Sequence, residues 1–348
     1  MAARLAATAT LLLMVGVFFA ARKRGANDGF EEIRGALKQF DGQRALALLA
    51  QADDGPTSRA AKAYLSAIAQ RQQADVPGAL ESLRRARRYG YDRRAVERQE
   101  KLLAFQSGDI DRTAPYLLNW LAASPSDDDA AQIYDCMTKG YLAAVRLDEA
   151  AYCIDLWLRW KPNDVRPLWL RAELERARHD DSQATATYRA ILRLTPDDAK
   201  AHRELGRLLI ENNDAAAALE HLQRYHIEHP DDHEATIYLA RCQRSMGVAR
   251  LARSLLDEVL RETLAPRLRA DALVELGQLQ LKEEAPDNAA NTLRQAVELA
   301  PANAAAHYAL ALALTRLGDQ AQADRHFSAS DRIAAQDERL ADLAAEII

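Results

Sequence analysis

The sequence predicts an all-α fold: a right-handed superhelical solenoid of about nine helix hairpins, with a C-terminal capping helix and one N-terminal transmembrane helix. Three observations support this prediction. A small residue recurs at a fixed spacing, the composition favours helix over sheet, and an uncharged stretch lies near the start of the chain. Such a spacing is typical of solenoids, whose helix pairs bury their apolar faces only against their neighbours.

The recurring small residue sets the phase of the repeats. Most successive members are 34 residues apart, one gap is 37, and Thr113 replaces the small residue between Ala79 and Ala150. The series is Ala45, Ala79, Ala150, Ala184, Ala218, Ala252, Ala289 and Ala323. Repeats therefore begin near Ala26, Ala60, Arg94, Ala131, Val165, Ala199, His233, Ala270 and Ala304. Two of these spacings are 37, and we expect the extra residues in turns between repeats, within 124–129 and around 264–269.

The composition favours helix and excludes several classes of protein. Of 348 residues, 49% are hydrophobic and 6% aromatic, with only 14 glycines, which suits helices joined by small contact residues. The net charge of −5 leaves no global basic field to attract nucleic acid. Three cysteines without a CxxC motif indicate neither a disulfide framework nor a zinc site. We expect Cys136, Cys153 and Cys242 to pack as small apolar residues.

The N-terminal segment predicts a membrane anchor. Residues 5–21 are uncharged, and residues 22–24 are all basic. Seventeen residues are at the lower limit for a spanning helix, so a cleaved secretory signal is the alternative, which would give an exported soluble protein. Cleavage after Ala20 or Ala21 would place a phenylalanine at position −3, which favours an uncleaved, single-pass anchor. The basic flank predicts a cytoplasmic repeat domain, with a periplasmic one as the alternative.

The repeats resemble the tetratricopeptide motif, which runs W-x2-L-G-x2-Y, then A-x3-F, then A and P. The unit from Ala199 supplies Leu205, Gly206, Asn213, Asp214, Ala218, Leu222 and Pro230 in phase. The unit from Ala270 supplies Leu276, Gly277, Ala289, Leu293, Ala296 and Pro301. The resemblance covers residues 26–337 and implies stacked hairpins that serve as an interaction scaffold.

The quality of the match divides the chain into four segments. Residues 1–25 hold the anchor and its basic flank, residues 26–130 hold divergent repeats, and residues 131–337 hold repeats that match well. Residues 338–348 are predicted to form a capping helix that covers the last repeat, as solenoids require for solubility.

Neither an enzyme nor a metal site is predicted. No P-loop, GxSxG, HExxH or GxGxxG occurs, and the repeats leave no further domain for an active site, so we expect no catalytic residue and no cofactor. His221, His226, His229 and His233 form a tempting cluster for zinc. Because Pro230 breaks the helix between them, the four cannot share one face, and we predict that His226 and His229 lie at the end of one helix and His233 at the start of the next repeat, instead of binding a metal.

The concave surface is the predicted binding site. In tetratricopeptide arrays the first helix of each unit lines the groove through positions 2, 5, 9 and 12, which form one helical stripe. In three central units these twelve positions include seven basic and two acidic residues. The predicted groove residues are Arg166, Trp169, Arg176, Lys200, Arg203, Arg207, Arg241 and Arg244.

This stripe predicts a groove for an acidic, extended or helical peptide, because arginine binds carboxylates in a bidentate manner. In the alternative interpretation, the arginines only solvate the groove and pair with Glu173, Glu204, Glu211 and Glu234. The carboxylate clamp of chaperone-binding members has Lys and Asn where this chain has Arg203 and Arg207, so a chaperone C-terminus is not predicted.

We therefore predict a membrane-anchored scaffold that recruits or assembles protein partners through a basic groove. Single-stranded nucleic-acid binding is the alternative from another class. Such binders interleave aromatic residues with the basic groove, whereas within this stripe only Trp169 is available for stacking. No nucleic-acid partner is therefore expected, and the oligomeric state stays open.

Overall fold

The computed structural model describes residues 30–52, 55, 58–123 and 126–347, with side chains as far as residue 340. These residues form eighteen α-helices and no strand, which confirms the all-helical prediction. The helices are α1 (30–38), α2 (Gly42–Gln51), α3 (Arg59–Gln72), α4 (Val76–Arg88), α5 (Arg93–Gln106), α6 (Ile110–Ala122), α7 (Asp127–Ala143), α8 (Leu147–Trp160), α9 (Val165–Ala177), α10 (Asp181–Leu194), α11 (Ala199–Glu211), α12 (Ala215–Glu228), α13 (His233–Ser245), α14 (Ala249–Arg261), α15 (Pro266–Lys282), α16 (Pro286–Leu299), α17 (Ala304–Arg316) and α18 (Gln320–Ile347).

The predicted anchor at residues 5–21 lies outside the described residues. Within the part of the chain that the structure describes, no helix combines the length and the apolar character needed to cross a bilayer.

Consecutive helices pair into nine hairpins over the described ranges, and the hairpins form two compact units. The first unit, Met1–Trp160, contains α1 to α8, and the second, Lys161–Ile348, contains α9 to α18. The 34-residue spacing continues across this boundary, so the repeat pattern does not mark it. The predicted boundary at residues 130 and 131 reflects the quality of the motif match, which is a different property from compactness.

Each hairpin turn contains one residue in the left-handed region of backbone conformation. These residues follow the repeat spacing and are Phe40, Ala74, Gly108, Val145, His179, Asn213, Gly247, Glu284 and Gly318. A left-handed residue after the last helical turn bonds to the free carbonyls and ends the helix. The turn conformation therefore recurs even where glycine does not.

The recurring small residues hold the two helices of each hairpin together. All eight alanines of the series are fully buried. Gly206 and Gly277 serve the same purpose from the first helix: a Cβ atom at Gly206 would lie 2.7 Å from Cγ of Leu222, and one at Gly277 would overlap Leu293. The predicted close approach of paired helices is thus confirmed at both glycines.

The extra residues of the two longer repeats do not lie only in turns, as was predicted. Helices α7 and α15 each have 17 residues, whereas α9, α11, α13 and α17 have 13. Both long helices begin four residues ahead of their repeat start, at Asp127 and Pro266. The insertions therefore add about one turn to the N-terminus of the first helix.

The C-terminus differs from the predicted cap. Residues 338–347 do not form a helix of their own, because α18 runs unbroken over 28 residues from Gln320 to Ile347. No glycine or proline lies between Gln320 and Ile348 to end it. Leu340 is 66% exposed, so this part of α18 does not cover the last hairpin with that side chain.

In the first unit, the start of the stack contacts its end: Nζ of Lys38 lies 2.9 Å from Asp128 Oδ2, and the Phe40 ring lies 6.4 Å from that of Trp157.

All three cysteines are buried free thiols, as predicted. Burial raises the pKa of Cys136 and Cys153 to about 12 and that of Cys242 to about 11.

Candidate partner-binding groove

All the predicted groove residues lie in the second unit, on three successive first helices. Arg166, Trp169 and Arg176 are on α9, Lys200, Arg203 and Arg207 are on α11, and Arg241 and Arg244 are on α13. Each of these helices begins with an aspartate cap, Asp164, Asp198 or Asp232, whose side chain accepts from a backbone N–H of the first turn.

The two arginines in the middle of α11 form ion pairs with carboxylates. Arg203 contacts three of them: Glu204 at 2.7 Å, Asp232 at 2.9 Å and Glu234 at 2.6 Å. Arg207 lies 2.7 Å from Glu211 and 3.3 Å from Glu204. The pairs of Arg203 with Asp232 and Glu234 join α11 to the cap and first turn of α13, so they stabilise the stacking of neighbouring repeats.

The protonation of Asp232 follows from these contacts. Burial alone would raise the pKa of Asp232, but the N–H of Ala235, the hydroxyl of Tyr225 and the Arg203 guanidinium together lower it. For Arg203, burial opposes the charge, yet Asp232 and Glu204 raise its pKa. Both groups are therefore held ionised by their mutual contacts.

The remaining groove residues also have partners. Arg244 lies 2.8 Å from Glu275, and Arg176 lies 3.6 Å from Glu204. Lys200 stacks on Trp169, with Nζ 4.6 Å from the ring centroid. Arg166 forms an ion pair with its own cap, Asp164, to which its Nε donates at 2.8 Å.

Arg241 has the longest ion pair of the set, with Nε 3.9 Å from Glu275 Oε1. Apart from Lys200, every basic side chain of the stripe is therefore paired with a carboxylate. Carboxylates interleave with the arginines, as the alternative interpretation held for Glu204, Glu211 and Glu234. The same pairing removes the free basic stripe on which the nucleic-acid alternative depended.

A cavity of about 230 Å³ lies over α13, α15 and the start of α17. Its lining includes residues at repeat positions 2, 5 and 9: Glu234, Ile237, Arg241, Asp271, Val274 and Ala305. The positions that were expected to face the groove thus line one surface across three consecutive first helices.

Two side chains in this cavity are not fully paired. Arg241 has only its long contact with Glu275, and Asp271 forms no ion pair within 4 Å among the described residues. Asp271 accepts a hydrogen bond from Asn303 Nδ2 at 3.0 Å, and burial raises its pKa. The lining also includes Glu211, Glu234 and Glu275, which pair with arginines, so Arg241 and Asp271 are its charged side chains without a close ion pair among the described residues.

Sequence reasoning missed Asp271 and Asn303. Asp271 occupies position 2 of the unit that follows the three considered, so extending the same count by one repeat would have found it. Asn303 is the N-cap of α17, where its Oδ1 accepts from the N–H of Ala306 while its Nδ2 donates to Asp271. Only the fold shows that this cap also faces the cavity.

The histidines form pairs that the sequence did not predict. His221 lies beside His202, with 2.8 Å between their Nδ1 atoms, and His307 and His326 repeat this contact at 2.9 Å. Both pairs occupy positions 4 and 23 of their repeats, and this shared spacing is the feature of the sequence that could have predicted them. Among the described residues, no group of three or more histidine, cysteine or acidic side chains is close enough to hold a metal.

Comparisons with known proteins identify the repeats. Two profiles described as "Tetratricopeptide repeat" match residues 209–276 and 270–303. Among curated proteins, no match is found.

Several solved structures are similar to this chain at low sequence identity. "Crystal structure of PilW, widely conserved type IV pilus biogenesis factor" is 18% identical, covers 56% of this chain and 89% of that one, and has a TM-score of 0.46. "Crystal structure of APC/C hetero-tetramer Cut9-Hcn1" is 14% identical, covers 94% and 84%, and has a TM-score of 0.47. "Crystal structure of YrrB: a TPR protein with an unusual peptide-binding site" is 16% identical, covers 56% and 98%, and has a TM-score of 0.38.

Likeness at this level carries no argument for a partner or a pathway. The two profile matches run from the last residues of α11 to just after α16. Proteins built of these repeats are in general scaffolds for protein–protein interaction and typically lack enzymatic activity. Residues 209–303 of this chain are tetratricopeptide repeats.

Proposed function

We propose that this chain is a scaffold that holds a segment of a protein partner in the groove of its second unit. The observation that carries the proposal is the cavity lined by the same repeat positions of α13, α15 and α17. A surface of this kind, built from successive first helices, suits an extended or helical segment. Recruiting or assembling partners is then the task of the chain, and no catalytic step is proposed.

Arg241 is the proposed anchor for an acidic side chain of that segment. Its contact with Glu275 is 3.9 Å, which is longer than the ion pairs of Arg203, Arg207 and Arg244. An incoming carboxylate at normal hydrogen-bond distance would therefore replace a weak contact with a stronger one. The acidic character of the partner thus rests on one guanidinium and no longer on the whole stripe.

Photo-crosslinking tests whether the groove is the docking surface. Tyr308 lies on α17 one turn from Ala305, and Leu251 lies on α14, a second helix. Both side chains are 51% exposed, so a photoreactive phenylalanine analogue at either position is equally accessible. We expect a crosslinked protein partner from position 308 that is absent from position 251. Equal crosslinking at both positions would contradict the groove assignment.

A second measurement tests the anchor residue. Once the crosslinked partner is identified, its affinity for the full chain is measured with Arg241→Ala. Loss of a charge-assisted hydrogen bond predicts at least about a tenfold weakening. Arg253→Ala is the matched control, because Arg253 lies on α14, a second helix, and pairs with Glu283. An unchanged affinity in Arg241→Ala would refute the acidic anchor while leaving the groove itself in place.

The membrane anchor at residues 5–21 is part of this proposal, together with a cytoplasmic repeat domain. Its support is the uncharged stretch followed by three basic residues. Reporter fusions after Ile348 test the side of the membrane: activity of a cytoplasmic reporter is expected, and activity of a periplasmic reporter would place the repeats on the other side. Release of the chain from membranes by high salt or carbonate would contradict the anchor.

A further inference from the structure

An ion pair joins α11 to α13, and its counterpart between α13 and α15 keeps the acid but not the base. Arg203 is at position 5 of its repeat, and its Nη2 lies 2.6 Å from Oε2 of Glu234, at position 2 of the next repeat. One repeat later the same two positions hold Ile237 on α13 and Asp271 on α15. An apolar side chain thus stands where the preceding repeat has a guanidinium.

Asp271 is held in place by a neutral partner. Asp271 and Ile237 both line the cavity of the groove, and Oδ1 of Asp271 accepts from Asn303 Nδ2 at 3.0 Å. The amide is fixed in turn, because Asn303 Oδ1 accepts from the N–H of Ala306. Burial raises the pKa of Asp271, although the charge of Arg267 acts in the opposite direction. The ionised carboxylate therefore has a hydrogen-bond donor but no close cation among the described residues.

The charges of the cavity lining also favour a cation. Four carboxylates line the cavity, against the single guanidinium of Arg241. Three of these carboxylates pair with arginines, and the fourth is that of Asp271. A basic group that enters the cavity therefore meets an acidic surface, and within the described residues Asp271 is the carboxylate of that surface left to pair with it.

We propose that Asp271 and Asn303 form a subsite for a lysine or arginine side chain of the segment that the groove holds. This subsite rests on the proposed function, and it adds a basic residue to the acidic one that Arg241 would bind. The partner's cation takes the place against Asp271 that Arg203 takes against Glu234 in the preceding repeat. A charge-assisted hydrogen bond then offsets the burial of the carboxylate.

Selection from phage that display random dodecapeptides tests the proposal without knowledge of the partner. The full chain is the bait, and the affinity of each enriched peptide is then measured by fluorescence anisotropy. We expect enriched peptides to carry lysine or arginine, and their affinity to fall at least about tenfold in Asp271→Asn.

Asp257→Asn is the matched control for this loss. Asp257 is also a half-buried aspartate without an ion pair among the described residues, but it lies on α14, a second helix. The affinity of the enriched peptides should not change in Asp257→Asn. Equal losses in Asp271→Asn and Asp257→Asn would overturn the subsite.

A second variant fills the subsite from within the chain. Ile237→Arg restores the cation that Arg203 supplies in the preceding repeat, so we expect it to pair with Asp271 and to lower the affinity of the basic peptides as Asp271→Asn does. Ile237→Met keeps the side chain apolar and should leave the affinity unchanged. Circular dichroism checks that both variants are folded. Undiminished affinity in folded Ile237→Arg would contradict the proposal.

The selection also separates failure of the subsite from failure of the proposed function. Peptides whose affinity falls in Arg241→Gln but not in Asp271→Asn would refute the basic subsite and leave the acidic anchor in place. If no peptide is enriched, or if neither substitution weakens any enriched peptide, the groove holds no segment of this kind, and the proposed function fails together with the subsite.

Discussion

The Nδ1 atoms of His202 and His221 lie 2.8 Å apart and join α11 to α12. The Nε2 of His202 lies 3.0 Å from the carbonyl oxygen of Pro196, which can only accept a hydrogen bond. Nε2 therefore carries a proton, and in the neutral ring Nδ1 of His202 accepts from Nδ1–H of His221.

This geometry predicts that stability depends on pH. Burial and then the neighbouring imidazole lower the pKa of His221 below 6.5, and the same two causes lower that of His326 beside His307. The unfolded chain then binds more protons than the folded chain, so the free energy of unfolding rises with pH. The stabilisation is present above pH 6.5 and is lost as the pH falls through the folded pKa values.

Charged neighbours modify this effect without reversing it. Around His221, Glu220 raises the pKa, whereas Arg189 and Arg224 lower it. Around His326, Arg294 lowers the pKa.

Urea unfolding between about pH 5 and 8 measures the dependence. The slope of stability with pH should flatten in His221→Gln/His326→Gln and stay unchanged in His233→Gln, the control. A slope in the double variant equal to that of the native chain would rule out titration of these pairs.

The hairpin turns predict a stabilising glycine. Val145 has a φ of 58°, a conformation that costs a β-branched residue about 1–2 kcal/mol, while glycine loses about 0.5–1 kcal/mol of chain entropy. Since Val145 is 39% exposed and loses little packing, Val145→Gly should raise the free energy of unfolding by about 0.5–1 kcal/mol. Chemical denaturation of the first unit checks this. Gly247→Ala should lower stability, and a gain in both variants would contradict the explanation.

Close helix packing predicts opposite effects at two glycines. A Cβ atom at Gly277 would overlap Leu293, so Gly277→Ala should destabilise the second unit by about 1–3 kcal/mol. At Gly35, a Cβ atom would meet no atom of the described residues within 4 Å apart from its own stretch of α1. Gly35→Ala should therefore stabilise α1 by about 0.5–1 kcal/mol, because it reduces the entropy of the unfolded chain. Thermal melting distinguishes the two, and a neutral Gly277→Ala would show that Leu293 can move aside.

The ion-pair network predicts that arginines of the groove contribute to stability. Arg203 is 21% exposed and contacts three carboxylates, so Arg203→Met would remove a cationic partner from each of them. We expect a loss of about 1–3 kcal/mol in the free energy of unfolding, measured with urea. Arg34→Met removes the exposed pair with Glu31 and should have no measurable effect. Similar losses in both variants would mean that removal of charge, and not the network, causes the change.

The hairpins of the fold could be predicted from one buried position in each repeat. The eight alanines of the series lie at the contact between paired helices, where side-chain volume is tightly restricted, so their spacing reported the hairpins directly. The residues that end α18 were not predictable in this way. A capping helix was expected because solenoids need one, whereas the sequence beyond Gln320 lacks any residue that would break the helix.

For the groove, the sequence predicts which residues share a surface but not the net charge of that surface. Helical spacing predicts that Glu234, Ile237 and Arg241 share one face of α13, because that depends only on residues within one helix, and all three line the same cavity. The net charge of the surface depends on which carboxylates reach it from neighbouring repeats. Glu275 lies on α15 and Asp232 caps α13, so their pairing with arginines was visible only once the stacking was known.

The burial of all three native thiols has a practical consequence. Alkylating reagents attack the thiolate, and Cys136, Cys153 and Cys242 combine closed surroundings with raised pKa values. A single cysteine introduced on the surface would therefore be labelled selectively, with the natural ones left in place. Fluorophores or spin probes can thus be attached to either unit, without replacing any native cysteine, to follow ligand docking directly.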